Sequence, residues 1–590
     1  GCLLMLGIGK YGIEKRQTKR GLPVNLYYYP EYQDRIEPTY RYSTECIEFM
    51  EDETGIPYPW ESYAQIPVQD FMYGAMENTT ATIFGDFFHV DKRAFLDRNY
   101  INVNVHELTH QWFGDYITAR SAKHTWLQES FATYYPKLFT KKVFGEDFYQ
   151  WQRRGEHQSS RFYPKGSSVI DMMNYTFGEE SYKKVINHYL KKFPYKNVET
   201  NDLYLAFQDT LGMTVNWFFD QWLYRGGEPH YSVKWQDVKN NISGNRETQV
   251  IVNQIHTTDG LVPLFKMPVV LEAVYMDGTS ETIRVWVEKQ SHQFLIPNPG
   301  NKQIAFVLFD PGSNILKKLT FKKSFDELKL QSLKAKNMID RYDALVELRE
   351  IEVSKKRELL LQIFEKETFH ALKSEVLFQL SNDSDPASLT LFQKAAKDPA
   401  VEVRSALLTN LKVIPPAILP AIESMLSDSS YNVVFTALDK LSEQNPKSLA
   451  KYLEVCKNDV GIGAKVKVKW LELSYLLKKQ EFEKNEKNRE AEREMIKTLN
   501  TLMALASNSY EFQTRNNAFQ SIKRLNELTE AGIGFLFDAI LSPNSRLAGP
   551  ASACLEHFYA QTEFKRRIKA NFESKSWEPW QKEILEKVVR

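Results

Sequence analysis

The sequence predicts a multidomain α+β chain, and three observations carry that expectation. Its 590 residues are several times the size of an ordinary domain, enough for three or four cores that fold without staples. The spacing of apolar residues changes from helical to alternating near residue 230 and back to helical near residue 323. Late in the chain, two similar helical stretches recur about thirty residues apart, the mark of stacked helix pairs.

From Ile101 to about Leu223 the spacing is helical, with Trp, Tyr and Phe interleaved among charged residues, so this stretch reads as mostly helical. Tyr224-Arg225-Gly226-Gly227-Glu228-Pro229 then breaks the pattern and marks a boundary. From Tyr231 to about Phe321 come short β-branched runs such as Thr248-Gln249-Val250-Ile251-Val252 and Val269-Val270-Leu271-Glu272-Ala273-Val274-Tyr275. Asp277-Gly278 follows the second run, where a tight hairpin turn needs residues that tolerate positive φ. A small all-β domain is expected there. Beyond Ser324, proline-marked turns separate amphipathic helices, and Asp398-Pro399-Ala400-Val401-Glu402-Val403-Arg404 is echoed by Asp428-Ser429-Ser430-Tyr431-Asn432-Val433-Val434. The repetition predicts a curved helical stack resembling HEAT repeats.

Composition bounds the function classes. Lys and Arg total 76 against 75 Asp and Glu, a formal charge of +1, so no global field draws nucleic acid or an anionic membrane. Cys2, Cys46, Cys456 and Cys554 are far apart and show no metal-ligand spacing. No apolar run reaches the roughly 20 residues a membrane span needs. The apolar start, Gly1 to Gly9, lacks an initiator Met, a basic leader and a small-residue cleavage site; it reads as a core strand rather than a signal peptide.

The segment that carries chemistry is Val105-His106-Glu107-Leu108-Thr109-His110-Gln111. Residues four apart share a helix face, so both imidazoles can meet one small cation while Glu107, about 100° round the axis, leans beside it. With 11 His in the chain, a chance His-Glu-x-x-His arises in on the order of one per cent of such sequences. A catalytic zinc wants a third protein ligand and an open position for water. Glu129, with eighteen residues between it and His110, can return to the metal from a second, antiparallel helix. Spacing alone serves an ordinary solvated helix glutamate equally well.

These residues resemble the gluzincin aminopeptidases of the aminopeptidase N family, which pair this motif with a glutamate at the same distance. Upstream, Gly74-Ala75-Met76-Glu77-Asn78 matches the family's exopeptidase signature in full, and Tyr163-Pro164-Lys165-Gly166 is similar to its Tyr-x-Lys-Gly segment. The resemblance implies one zinc per chain on His106, His110 and Glu129. It implies that Glu77 accepts the substrate α-amine, that the Gly74 to Met76 backbone lies along the peptide as an edge strand, with Asn78 closing the motif, and that Tyr163 donates to the oxyanion. Gln128 and Ser130 stand where the family usually has Asn and Gly; neither removes a ligand.

The same resemblance divides the chain into a thermolysin-like catalytic domain over residues 21–230, a β-sandwich over 231–322 and a helical repeat domain over 323–590. Residues 1–20 would be the remnant of an amino-terminal β domain. The expected activity is zinc-dependent hydrolysis of the first peptide bond of peptides with a free amino terminus. Glu107 would take a proton from a water on the zinc and pass it to the leaving amine, while Tyr163 steadies the oxyanion. Two other readings stay open at this point: a bifunctional epoxide hydrolase resembling leukotriene hydrolase, and a non-catalytic scaffold whose helices bind a partner.

Overall fold

The computed structural model describes residues 5–159, 161–239 and 244–589. Residues 1–4 of the expected amino-terminal core strand, Cys2 included, lie outside that range, and the rest of it forms no strand. Met5 to Gly9 is irregular, with Leu6 79% and Ile8 90% exposed: an apolar run that meets no core has no face to bury. Pairing starts with β1 (Gly12–Gln17), antiparallel to β2 (Pro23–Tyr28).

β3 (Tyr63–Val68) runs parallel to β2, and β5 (Ala81–Gly85) runs parallel to β3. The two-residue β4 (Ala75–Met76) lies antiparallel on β5, so the order β1-β2-β3-β5-β4 puts it at a sheet edge. Gly85 lets β4 approach: its amide donates to the Gly74 carbonyl at 3.0 Å, and a Cβ at residue 85 would come within 2.3 Å of the Phe87 ring. β6 (Ile117–Ala119) and β7 (Lys196–Val198) form a small parallel pair.

Amphipathic helices cover this sheet. Ser43–Thr54 buries Ile47, Phe49 and Met50; Ile101–Thr109 buries Val105 and Leu108; Trp126–Phe144 buries Phe131, Tyr134 and Tyr135. Phe113 stacks on Phe131, centroids 4.3 Å apart, just beyond the end of the helix Ile101–Thr109. Aromatic filling at this density fixes the two helices against one another, because stacked rings add specific geometry to the area they bury.

Two sheets follow, β11-β10-β13 and β12-β9-β8-β14, from β8 (His230–Lys239), β9 (Arg246–Gln254), β10 (Met267–Tyr275), β11 (Ser280–Val287), β12 (Ser291–Pro297), β13 (Ile304–Phe309) and β14 (Lys318–Thr320). Tyr231 of one sheet meets Phe309 of the other with ring centroids 5.0 Å apart. Four residues, Met276 to Thr279, join β10 to β11, and Gly278 alone of these takes positive φ, at 87°. Asp277 serves differently, accepting from the Thr279 amide at 3.0 Å.

From Phe325 onward the chain is helical, and alternate helices lie side by side. Arginine forks bridge neighbouring layers: Arg341 to Glu367, Arg349 to Glu375, and Arg357 to Asp383, each across 26 residues. The two similar stretches open the helices Val401–Asn410 and Tyr431–Gln444. Both Asp428 oxygens accept from Arg404 at 2.7 Å. These helices return to the sheet side of the molecule: Arg93 pairs with Asp459 at 2.5 Å, and Phe87 meets Phe512 edge to face at 5.0 Å. Among the described residues, no helix is long and apolar enough to cross a membrane.

Candidate active site

His106 lies in the last turn of the helix Ile101–Thr109, and His110 is its C-cap, still in helical geometry at φ −58° and ψ −23°. Their Nε2 atoms are 3.2 Å apart. Glu129 sits in the first turn of the helix Trp126–Phe144, and its Oε2 lies 3.5 Å from His106 Nε2 and 3.4 Å from His110 Nε2. Three side-chain atoms able to ligate a metal therefore converge from two helices.

The cluster fits a tetrahedral zinc. Bonds of about 2.0–2.1 Å at tetrahedral angles place ligand atoms about 3.3 Å apart, which is the separation found. Glu129 Oε2 is buried and has no hydrogen-bond donor, so its desolvation is uncompensated by the protein alone. His110 Nδ1 faces the Phe113 carbonyl at 3.0 Å; donation there leaves the Nε2 lone pair for a ligand. With no donor aimed at the carboxylate and two ring nitrogens crowded beside it, a divalent cation satisfies all three atoms at once.

Electrostatics agree with a site built to hold positive charge. Burial pushes the Glu107 carboxyl up to about 8, with His110 opposing and Glu77 and Glu129 adding to the rise. Burial works against ionised Glu129, yet His106 and His110 beside it hold it at about 2. His106 is lowered, by burial first. His110 reaches about 9 against its burial, raised by Glu129, Glu77 and Glu107. Three carboxylates thus focus on one point, and Glu77, Glu107 and His110 form a second close group beside the first.

A cavity of about 1060 Å³ opens over this cluster. Gly74, Ala75, Met76 and Glu77 form one wall and Tyr163 another, with Thr133, Lys137 and Glu156 farther along. Asn78, last of the motif, is buried and does not line it. The Tyr163 ring is 6.2 Å from that of His106. Its hydroxyl pKa is raised, by burial and then by Glu129, Glu77 and Glu107. Gly166 explains how this tyrosine comes so close: a Cβ there would lie 2.0 Å from Ser130 Oγ. Ser130, one of the two departures, fills the room a side chain at 166 would take. Gln128, the other, accepts from the Ala119 amide at 2.8 Å and ties the Glu129 helix to β6.

One positioning residue escaped the sequence reading. Gln111 is fully buried; its Oε1 accepts from the Thr80 amide at 2.8 Å and from Tyr58 Oη at 3.2 Å, and its Nε2 donates to the Glu77 carbonyl at 3.4 Å. Its identity carried no signal, because its partners beside Glu77 are backbone atoms. His124, five residues before Glu129, bonds Thr200 Oγ1 at 3.0 Å and stands outside the cluster.

Comparison with known proteins bears on the lineage. Residues 39–160 and 155–222 match the peptidase family M1 domain. That stretch carries an M1 peptidase domain. The chain is 26% identical over 278 residues to an aminopeptidase N of Haemonchus contortus, covering 39% of this chain and 28% of that protein. It is 32% identical over 281 residues to a tricorn protease-interacting factor F2 of Thermoplasma volcanium, covering 41% and 34%. It therefore spans about a third of the length of these curated relatives. In fold, the chain is similar to Legionella pneumophila aminopeptidase A, solved in complex with aspartic acid: TM-score 0.64 at 16% identity, over 98% of this chain and 77% of that one.

Proposed function

We propose that this chain is a zinc-dependent aminopeptidase acting on peptides with a free amino terminus. The observation that carries the reading is the convergence of His106, His110 and Glu129 within 3.2–3.5 Å of one another, with Glu107 and Glu77 in the adjoining group. His106, His110 and Glu129 would hold the zinc, which when bound would supply a Lewis acid for the scissile carbonyl and the attacking water. Glu107 accepts the proton of the attacking water and returns it to the departing amine. The Tyr163 hydroxyl donates to the oxygen that gains charge. Glu77 pairs with the α-ammonium, and the free edge of Ala75–Met76 lies along the substrate backbone, which restricts cleavage to the first residue. We read the carboxy-terminal helices as a HEAT-like stack flanking the cleft, a reading supported by the arginine forks between its layers.

Zinc quantitation beside an aminoacyl-anilide assay tests this. Stoichiometric zinc, chelator-sensitive turnover and rejection of the N-acetylated anilide are expected. Equal turnover of the acetylated substrate, or turnover that survives chelation, would remove the aminopeptidase reading.

A further inference from the structure

The Gly74 to Asn78 segment is held from two directions, and one of them comes from the far end of the chain. Arg546, second residue of the helix Ser545–Tyr559, donates through Nη2 to the carbonyls of Phe71 at 3.0 Å and Tyr73 at 2.9 Å. Those are among the last residues before Gly74. The guanidinium sits between two rings, 5.2 Å from the Phe87 centroid and 4.7 Å from that of Phe512. Asn544 Oδ1 accepts from its Nε at 3.3 Å. Two neighbouring contacts tie down the same loop: Gln69 Nε2 donates to the Asn508 carbonyl at 2.7 Å, and Arg515 lies 3.8 Å from Asp70. Arg515 is itself 1% exposed, anchored on the Ala506 carbonyl and on Asp538. Met72 and Tyr73 are half exposed, so just before Gly74 the helices grip the chain by its carbonyls.

A strand of two residues does not fix itself. β4 has two register pairs, Ala75 with Phe84 and Met76 with Ile83, and so short a pairing needs outside support to keep its neighbours in place. Gln111 supplies it after Met76, through the Glu77 carbonyl and the Thr80 amide; Arg546 supplies it before Gly74. Glu77 lies between the two clamps.

We propose that Arg546 is a positioning residue for the amine end of the cleft: through the Phe71 and Tyr73 carbonyls, the carboxy-terminal helices set where Glu77 stands. This rests on the aminopeptidase reading of Glu77. A planar fork that stacks on aromatic rings while giving two hydrogen bonds is a task for arginine, and lysine repeats only part of it.

The test uses the full-length zinc-loaded protein, wild type, Arg546→Gln and Arg546→Lys, with two inhibitors. One is an amino-acid hydroxamate with a free α-amine; the other is the same hydroxamate lacking the amine. Arg546→Gln should raise KM for leucine p-nitroanilide and weaken the amine-bearing hydroxamate by about tenfold each, while kcat stays within about twofold. The hydroxamate without the amine should bind as before, at unchanged zinc content. Arg546→Lys should give an intermediate loss of about threefold, confined to the amine-bearing inhibitor; if Gln prevents folding, Lys carries the test. Equal weakening of both inhibitors, or of neither, overturns the proposal. A wild-type protein indifferent to the amine would instead overturn the role of Glu77, and this inference with it.

Discussion

The metal cluster and the clasp between the carboxy-terminal helices and the catalytic sheet are both polar and largely buried, yet they treat charge in opposite ways. At the clasp, ionic groups mostly find protein partners: Arg93 on Asp459, Arg404 on Asp428, Arg515 on Asp538. At the cluster, carboxylates crowd together and Glu129 Oε2 has no donor at all. Asp70 Oδ1 and Asn544 Nδ2 at the clasp are also buried without a partner; what sets the cluster apart is that several acceptors converge on one point. The contrast also separates the two regions in sequence. The candidate ligands span residues 106 to 129, while the clasp joins distant residues, 366 apart in Arg93 with Asp459 and 475 in Arg546 with Phe71.

If that contrast is real, removing a charge from the cluster should cost activity and not stability. Glu107→Gln is the sharpest case, because burial already pushes this carboxyl up to about 8 and an amide of the same shape needs no ionisation. Zinc content and melting temperature should equal or exceed those of the wild type, while kcat falls by about 10³ to 10⁴. Residual kcat within about tenfold of wild type would take the proton-transfer role away from Glu107.

The converse holds for Arg404→Ala. Arg404 and Asp428 have side chains each 8% exposed, and Asp428 also offers its carbonyl to Arg93 at 2.8 Å. Deleting the guanidinium strands a buried carboxylate, which costs about 3 kcal/mol or more of folding free energy. Chemical denaturation should register the loss, with kcat/KM on an aminoacyl anilide unchanged under conditions where the variant is folded. A stable variant with impaired turnover would blur the division between the two regions.

That division also explains what could be read from the sequence. The helix period brings His106 and His110 together without help from the rest of the chain, and the alternation of Val250, Val252, Val269 and Leu271 announces strands. Glu129 needed the resemblance, since spacing could not tell it from a surface glutamate. Gln111 and Arg546 gave no signal, because their partners are backbone atoms of Glu77, Thr80, Phe71 and Tyr73, and backbone carbonyls and amides leave no trace in residue identity. Over Met5 to Gly9 the expected strand fails for a related reason: Leu6 and Ile8 are apolar yet exposed, because burial is a property of what packs on a residue, not of the residue.

Asp86 offers the smallest and most discriminating test, because at the clasp it breaks the rule of paired charge. Burial pushes its carboxyl up to about 8, and Glu511 and Asp70, both acidic, add to the rise. The folded protein therefore holds a proton there that the unfolded chain, titrating near 3.8, releases. Stability contributed by the neutral form is complete below about pH 4 and is lost as pH climbs towards 8, since the unfolded state binds fewer protons throughout that window. Asp86→Asn removes the ionisable group and should gain on the wild type by on the order of 1 kcal/mol for each pH unit between pH 5 and 8. Glu511→Gln in the wild-type background should flatten the same slope in part, because one of the two repelling charges is gone. Parallel stability curves for wild type and Asp86→Asn would mean that Asp86 is ionised and compensated in the fold, and the clasp would then obey the paired-charge rule throughout.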